Sequence, residues 1–331
     1  MNRLSDAWGS AACGLVAATM LTLSGAALAQ EHVAIKGGQI GGAFNRWTSA
    51  WSVYLPKAIE GVQFSSESST GSPENMRVVG SGDADFGLVF ASDLFNGYRG
   101  QGNFEDPITD IGAMTYVFAS VGHFVVPKDS DIQTLEDIAG KRVSLGGPGS
   151  GSAENITLLL QGMGIWEDFE PVYLGGDSPQ ALSNGEIDAF NWHPGLGNSV
   201  IHEAASMMDI RLLDLDQPAQ GSGFYETYPY FGPMTIPGGL YSGVEEDTPT
   251  FGTGSILIAN SDVSEDLVYD FLTAIYSDAG RQELSGAVGP ALIEAMTKEA
   301  AFDFITVPLH PGAERFWKEQ GVEIPEDLKS R

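Results

Sequence analysis

The chain has 331 residues, enough for two domains of ordinary size, and carries a formal net charge of −28. So acidic a surface repels nucleic acid and anionic lipid headgroups. It also repels an anionic ligand at long range, so any anion site must be locally positive and shielded.

Residues 1–29 read as a secretory signal peptide. Arg3 gives a weakly positive start, residues 11–23 are apolar, and Ala27-Leu28-Ala29 forms a cleavage site before Gln30. The apolar run is short for a membrane span, and no later stretch is apolar for long enough. The expected location is therefore periplasmic. The only cysteine, Cys13, lies in this leader, so neither disulfide nor thiolate chemistry is expected of the mature chain. The charge is unchanged once Arg3 and Asp6 leave with the leader. It suits either a high-salt setting or a generally acidic exported protein.

Residues 33–35 read as a strand. The glycine-rich stretch 37–47, GGQIGGAFNRW, follows and leads into an amphipathic helix over 47–59. A strand at 62–66, a helix at 73–80 and a buried strand at 84–90 complete a βαβαβ rhythm. That rhythm implies an α/β fold with a parallel sheet flanked by helices. Residues 111–126 are apolar and β-branched, with Gly122 as the one turn signal, and read as a strand pair passing from one domain into another. The rhythm then repeats without sequence repetition: a helix at 135–138, a strand at 142–145, a helix at 153–163, a strand at 171–174, a helix at 178–184 and a strand at 189–192. Residues 217–250 are rich in Pro, Gly and Tyr, and long for a structureless loop, which favours a functional or connecting role. A strand at 253–259 returns to the first domain. Helices are predicted at 267–277, 287–301 and 312–320. The predicted division is one lobe from 30–122 plus 254–331 and a second from 123–253.

Three places share one local plan, a strand, a glycine-rich turn and a helix start: residues 37–47, residues 68–74 (SSTGSPE) and residues 146–154 (GGPGSGSAE). Such turns present free backbone N–H groups at the positive end of a helix dipole, a ready anion site. At the first turn the candidates are Gly41, Gly42, Phe44, Asn45 and Arg46. A cation at a helix start costs about 0.3–1 kcal/mol, and an anion held between it and the helix would reverse that cost. The alternatives there are a tight turn and a solvated arginine paired with a surface carboxylate. At the second turn Ser69, Thr70, Gly71 and Ser72 offer hydroxyls and close approach. Ser72 is the expected N-cap, with Pro73 in the first helical turn. At the third, Ser150, Gly151 and Ser152 precede a helix. Asn191, Trp192 and His193 end a buried strand, where open α/β sheets place ligands.

Catalytic and cofactor signatures are missing from the sequence. The spacing G-G-x-x-G-G is not the dinucleotide fingerprint G-x-G-x-x-G, and no cofactor is expected. His32, His123, His193, His202 and His310 are scattered, so no metal is expected. No G-x-S-x-G elbow occurs.

GGxxGGxF, STGSPENMR, SGDADFGLV, LEDIAGKRVSLGGPGSGS, GEIDAF and LHPGAERFWKEQG occur in that order between Val33 and Leu328. Together they resemble the TAXI family, the extracytoplasmic solute-binding proteins of TRAP transporters. The resemblance implies a type II periplasmic binding protein fold: two lobes, each a mainly parallel sheet flanked by helices, joined by hinge strands. It implies a monomeric receptor, not an enzyme, that delivers a small organic anion such as glutamate or 2-oxoglutarate. The partner would be a TRAP membrane permease, as separate subunits or a fused chain. It places ligand contacts at residues 41–45, 69–72, at Phe90, Ala91 and Ser92, at residues 150–152 and at residues 191–193. The third strand of the family usually ends in Gln, then Ser or Asn, then Asp; here it is Phe90-Ala91-Ser92. Asn45-Arg46-Trp47 and Asn191-Trp192-His193 are bulkier than usual. An aromatic wall of Phe44, Phe90 and Trp192, and a ligand with an apolar or planar portion, are therefore expected. A similar receptor of an ABC transporter or sensor is the nearest competing reading. An exported enzyme acting on a small acid is the other.

Overall fold

The computed structural model describes residues 31–330. The predicted signal peptide lies outside the described residues. Strand β1 (Glu31–Lys36) turns Val33 and Ile35 inward and leads through the first glycine turn to helix α1 (Ala43–Ala58). The helix buries Phe44, Trp47, Thr48, Trp51, Tyr54 and Leu55, a three-and-four spacing that puts them on one face. Trp47 and Trp51 are fully buried, with ring centroids 5.3 Å apart. Burying a large apolar side chain stabilises the fold by roughly 1.5–3 kcal/mol. The helix starts earlier than its apolar period suggests, because Gly42 adopts the extended N-cap geometry (φ −73°, ψ 161°). Asn45 and Arg46 therefore lie in the first helical turn and not in the glycine loop.

Strand β2 (Val62–Glu67), helix α2 (Ser72–Gly80), strand β3 (Phe86–Phe90) and helix α3 (Ala91–Arg99) follow, then strand β4 (Ile111–Val121). Gly122 alone separates β4 from strand β5 (His123–Pro127). The second half contains β6 (Arg142–Ser144), α4 (Gly151–Gly162), β7 (Glu170–Val172), α5 (Ser178–Ser183), β8 (Ala189–Trp192), α6 (Ser199–Met207) and β9 (Ile210–Leu212). The chain closes with α7 (Asp216–Gly221), α8 (Phe224–Thr227), β10 (Gly232–Ile236), β11 (Thr248–Asn260), α9 (Glu265–Tyr276), α10 (Asp278–Val288), α11 (Pro290–Ala295) and α12 (Pro311–Glu319).

Two sheets result, and they share one plan. The first runs β2-β1-β3-β11-β4, with β10 continuing along β11; the second runs β7-β6-β8-β5-β9. In each, three strands are parallel and the fourth is antiparallel. In the first sheet that fourth strand, β11, arrives only after the chain has built the second sheet. The crossovers are tied together: Gly122 donates its N–H to the Phe251 carbonyl (2.9 Å) and accepts from Thr250 Oγ1 (2.6 Å). Long β11 bridges the halves. Its partner β10, within residues 123–253, is bonded to β11, while Ile236, Tyr241 and Val244 beside it pack in the core of the second half.

Residues 217–250, long for a structureless loop, hold most of α7, all of α8 and β10, and the start of β11. One predicted segment is corrected. Residues 287–301 are not one helix. Gly289, at φ 103°, and Pro290 end α10 and begin α11, which stops at Ala295.

Candidate functional site

The C-terminal ends of β1, β3, β6 and β8 meet between the two halves. Helices α1, α2 and α4 start after the turns that follow β1, β2 and β6, so three helix N-termini converge. They surround a cavity of about 50 Å³ lined by Gly38, Gln39, Gly42, Ala43, Phe44, Thr70, Gly71, Ser72, Phe90, Ser150, Gly151, Ser152, Trp192, His193 and Pro194. That space holds a few water-sized groups.

Each turn reaches the cavity by its own local chemistry. At the second, Gly71 takes the N-cap position with φ 132° and ψ −157°, a conformation reserved for glycine. Ser72, expected as the cap, is instead the first helical residue, and its Oγ accepts the Phe90 N–H (2.7 Å). The same hydroxyl also lies beside the Asp93 carboxyl behind the cavity wall. Ser69 lies behind the turn, donating to the Gly37 carbonyl and accepting from the Gly71 N–H (3.2 and 3.1 Å). Thr70 donates its N–H and hydroxyl to Glu74 (2.9 and 2.8 Å), which fixes the loop. At the third turn Ser150 is the true N-cap of α4, accepting from the Ala153 N–H. Ser152 Oγ accepts the His193 N–H (3.2 Å), which joins α4 to the end of β8.

Phe44, Phe90 and Trp192, the residues expected to make an aromatic wall, stand together at the cavity. The two phenylalanine rings are 5.0 Å apart, and all three side chains line the cavity. His193 is 3% exposed, and neither ring nitrogen has a hydrogen-bond partner. Burial, reinforced by nearby His123, pushes its pKa down to about 3. The ring is therefore neutral at neutral pH and offers one N–H donor and one acceptor.

Several predicted residues stand elsewhere. Asn191 is fully buried and donates to the Leu145 and Ser152 carbonyls (3.0 and 3.1 Å), holding β8 to α4 from behind. Ser92 is buried beneath the cavity and donates to Asn155 Oδ1 of the second half (3.1 Å), with Ala91 beside it. Gly41, Asn45 and Arg46 line a different, open groove with Ser199. Arg46 donates to Ser199 Oγ (3.2 Å), which donates to the Gly41 carbonyl (3.3 Å). The early start of α1 turns Arg46 away from the cavity, and no lysine or arginine lines it. Replacing Arg46 with alanine is accordingly expected to change anion affinity less than about fivefold, since a solvated, singly bonded cation contributes under ~1 kcal/mol. Calorimetric titration of the variant with a bound anion checks this, and a tenfold loss would return Arg46 to the site.

Gln39 was not anticipated as a site residue. Its side chain crosses from the first half to lie against Gly147 and Gly175; a Cβ on these would meet its amide at 1.9 and 2.5 Å. Its Nε2 also donates to the Thr70 carbonyl (3.1 Å). A lone amide in a run of glycines was the available signal. With these contacts the halves are closed on one another.

The model of the NMT1-like family matches residues 41–321. The chain belongs to the NMT1-like family. Among solved structures it is similar to the binding-protein component of an ABC phosphonate transporter from Pseudomonas aeruginosa, with 10% identity over 80% of each chain and a TM-score of 0.50. It is also similar to a protein of Bordetella bronchiseptica, at 17% identity over 89% of this chain and 90% of that one, with a TM-score of 0.50. The alkanesulfonate-binding protein SsuA from Xanthomonas axonopodis pv. citri aligns at 15% identity over 90% and 96%, with a TM-score of 0.47. The fold of this NMT1-like protein is the two-lobed fold of the periplasmic binding proteins, one lobe on each sheet. Among the described residues, no helix is long and apolar enough to cross a membrane, and no cluster of three metal-ligating side chains occurs.

Proposed function

We propose that this protein is an exported solute receptor that holds a compact organic anion between its lobes and delivers it to a membrane permease, without turnover. The observation that carries this is the convergence of three helix N-termini and the unpartnered His193 on one aromatic-walled cavity. The anion would be held by neutral donors. Each helix end contributes about 0.3–1 kcal/mol, up to ~2 in a buried setting, and the Ser72 hydroxyl and His193 complete the set. Phe44, Phe90 and Trp192 would pack on a small apolar substituent. The lobes comprise 30–122 with 254–331, and 123–253, hinged at the β4–β5 and β11 crossings. Export to the periplasm by the predicted leader accords with this role.

The binding-protein component of an ABC phosphonate transporter among the structural neighbours supports an ABC-type permease and a phosphonate headgroup, and the neutral donors would suit a sulfonate or carboxylate as well. The motif set from GGxxGGxF to LHPGAERFWKEQG supports a second reading, a TRAP permease and a carboxylate such as glutamate or 2-oxoglutarate. The deciding measurement is thermal stabilisation by methylphosphonate, ethanesulfonate, butyrate and 2-oxoglutarate side by side, with mass spectrometry of whatever co-purifies. Monoanions with a short apolar tail are expected to raise the melting temperature, and 2-oxoglutarate to do so least, because the cavity offers no cation for a second carboxylate. Stabilisation by 2-oxoglutarate alone would favour the TRAP reading, and none by any anion would sink the proposal.

A further inference from the structure

Asp93 stands in the first turn of α3, in the first lobe, and Glu154 in the first turn of α4, in the second. Their carboxyl groups face each other within hydrogen-bonding reach across the closed interface, just behind the cavity wall. Asp93 is fully buried. Neither of its oxygens, nor Glu154 Oε2, receives a hydrogen bond from any donor among the described residues. Two ionised carboxylates buried without donors are strongly unfavourable. One proton removes the conflict: it turns one carboxyl into a donor to the other and leaves a single, shared negative charge.

The surroundings do not neutralise the pair by other means. The cation bearing on it is Arg77 of α2, but its guanidinium donates to the Pro73 and Asn103 carbonyls (3.2 and 2.7 Å) and packs on the Phe104 ring (4.8 Å). Tyr230, between α8 and β10, also faces the pair. Its hydroxyl accepts from Asn96 Nδ2, and burial pushes it up to about 12, so it stays neutral. The remaining neighbours are uncharged polar groups, Ser72 beside Asp93 and Asn103 beside Glu154; each favours the ionised form, and burial outweighs both. Alongside, Ser92 and Asn155 form an uncharged bond between the same two helices (3.1 Å).

We infer that Asp93 and Glu154 form a proton-binding site that is complete only when the lobes are closed, so that closure takes up a proton. This rests on the two-lobed receptor reading. In the open form α3 and α4 part, Asp93 meets water, and its pKa returns to the ordinary carboxylate range. In the closed form, burial, and then the charge of Glu154, hold Asp93 well above that range, and burial raises Glu154 as well. The closed form binds the proton more tightly. Its advantage is therefore complete below the ordinary carboxylate range and is lost as pH rises through the raised, closed-state pKa. For one proton the closing constant falls at most tenfold per pH unit.

Small-angle scattering of the purified protein without added ligand, from about pH 5 to about pH 8 in moderate salt that screens the general acidic charge, tests the inference. The radius of gyration is expected to grow with pH in the wild type. Asp93→Asn, which keeps the size and supplies a permanent N–H donor to Glu154, is expected to stay compact throughout. Glu154→Gln is expected to behave likewise and serves if the first variant does not fold. A wild-type radius that is flat with pH, or growth of the same size in both variants, would overturn it. A failure of every anion to bind leaves this result untouched, and a flat radius leaves anion binding untouched.

Discussion

Replacing Asn75 with alanine is expected to lower the unfolding free energy by about 2–4 kcal/mol, measured by chemical denaturation. The residue is completely buried in α2, and its Nδ2 donates to the Gly37 carbonyl at the end of β1 and to the Leu88 carbonyl in β3 (2.7 Å for Leu88). One amide thus fixes the spacing between the first glycine turn and the third strand. Alanine would take the amide donor from the Leu88 carbonyl and leave the Gly37 carbonyl with the Ser69 hydroxyl alone, at about 1–3 kcal/mol for a buried group left unpaired, to which the emptied side-chain volume adds. Asn75→Asp keeps the volume but replaces the donor with an acceptor facing two carbonyls, and is expected to be at least as damaging. A loss below ~1 kcal/mol in the alanine variant would mean that water replaces the amide, and that the first turn does not depend on it.

The same contact shows what was legible in the sequence. The strands β1, β3 and β8 announce themselves by short β-branched and aromatic runs between turn signals. The crossing at β4 and β5 does so by its length and its single glycine. The three glycine turns are visible by their runs of glycine and small hydroxylic residues, and part of each lines the cavity. Side-chain direction was not legible. Arg46 appeared to face the anion site because the apolar period of α1 begins at Trp47; the extended geometry of Gly42 starts the helix earlier and rotates Arg46 to Ser199. Ser72 looked like a cap because its type favours caps, yet Gly71 alone has the freedom to take that position. Helix α3 gave little signal, since ASDLFNGYR carries a glycine, an asparagine and a serine within nine residues. The Asp93–Glu154 contact joins residues from two lobes, so no local pattern encodes it.

Gly151→Ala is expected to move stability and binding in opposite directions, which makes it the sharpest test of the closed cleft. Gly151 is the first residue of α4, just after the Ser150 cap. Away from any partner, alanine there favours the helix by up to ~1 kcal/mol, so the ligand-free protein should melt no earlier than wild type. In the closed form the added Cβ would lie 2.5 Å from Cδ2 of Phe90 and 3.1 Å from Oδ2 of Asp93, both in the opposite lobe. Phe90 is packed against Phe44 and buried, so its ring has little room to retreat. Relieving such an overlap costs typically 1–3 kcal/mol, and that cost falls only on the state with the lobes together. Anion affinity, measured by calorimetric titration with the best ligand of the thermal screen, should therefore fall by about one to two orders of magnitude. The protein's own melting temperature without ligand should hold or rise. Pairing the change with Phe90→Leu, which removes the ring edge that the new methyl would strike, should restore part of the affinity. Equal affinity in wild type and Gly151→Ala would mean that the ligand is held with the lobes further apart than they stand in this structure. A parallel loss of stability and affinity would instead place the fault in α4 itself.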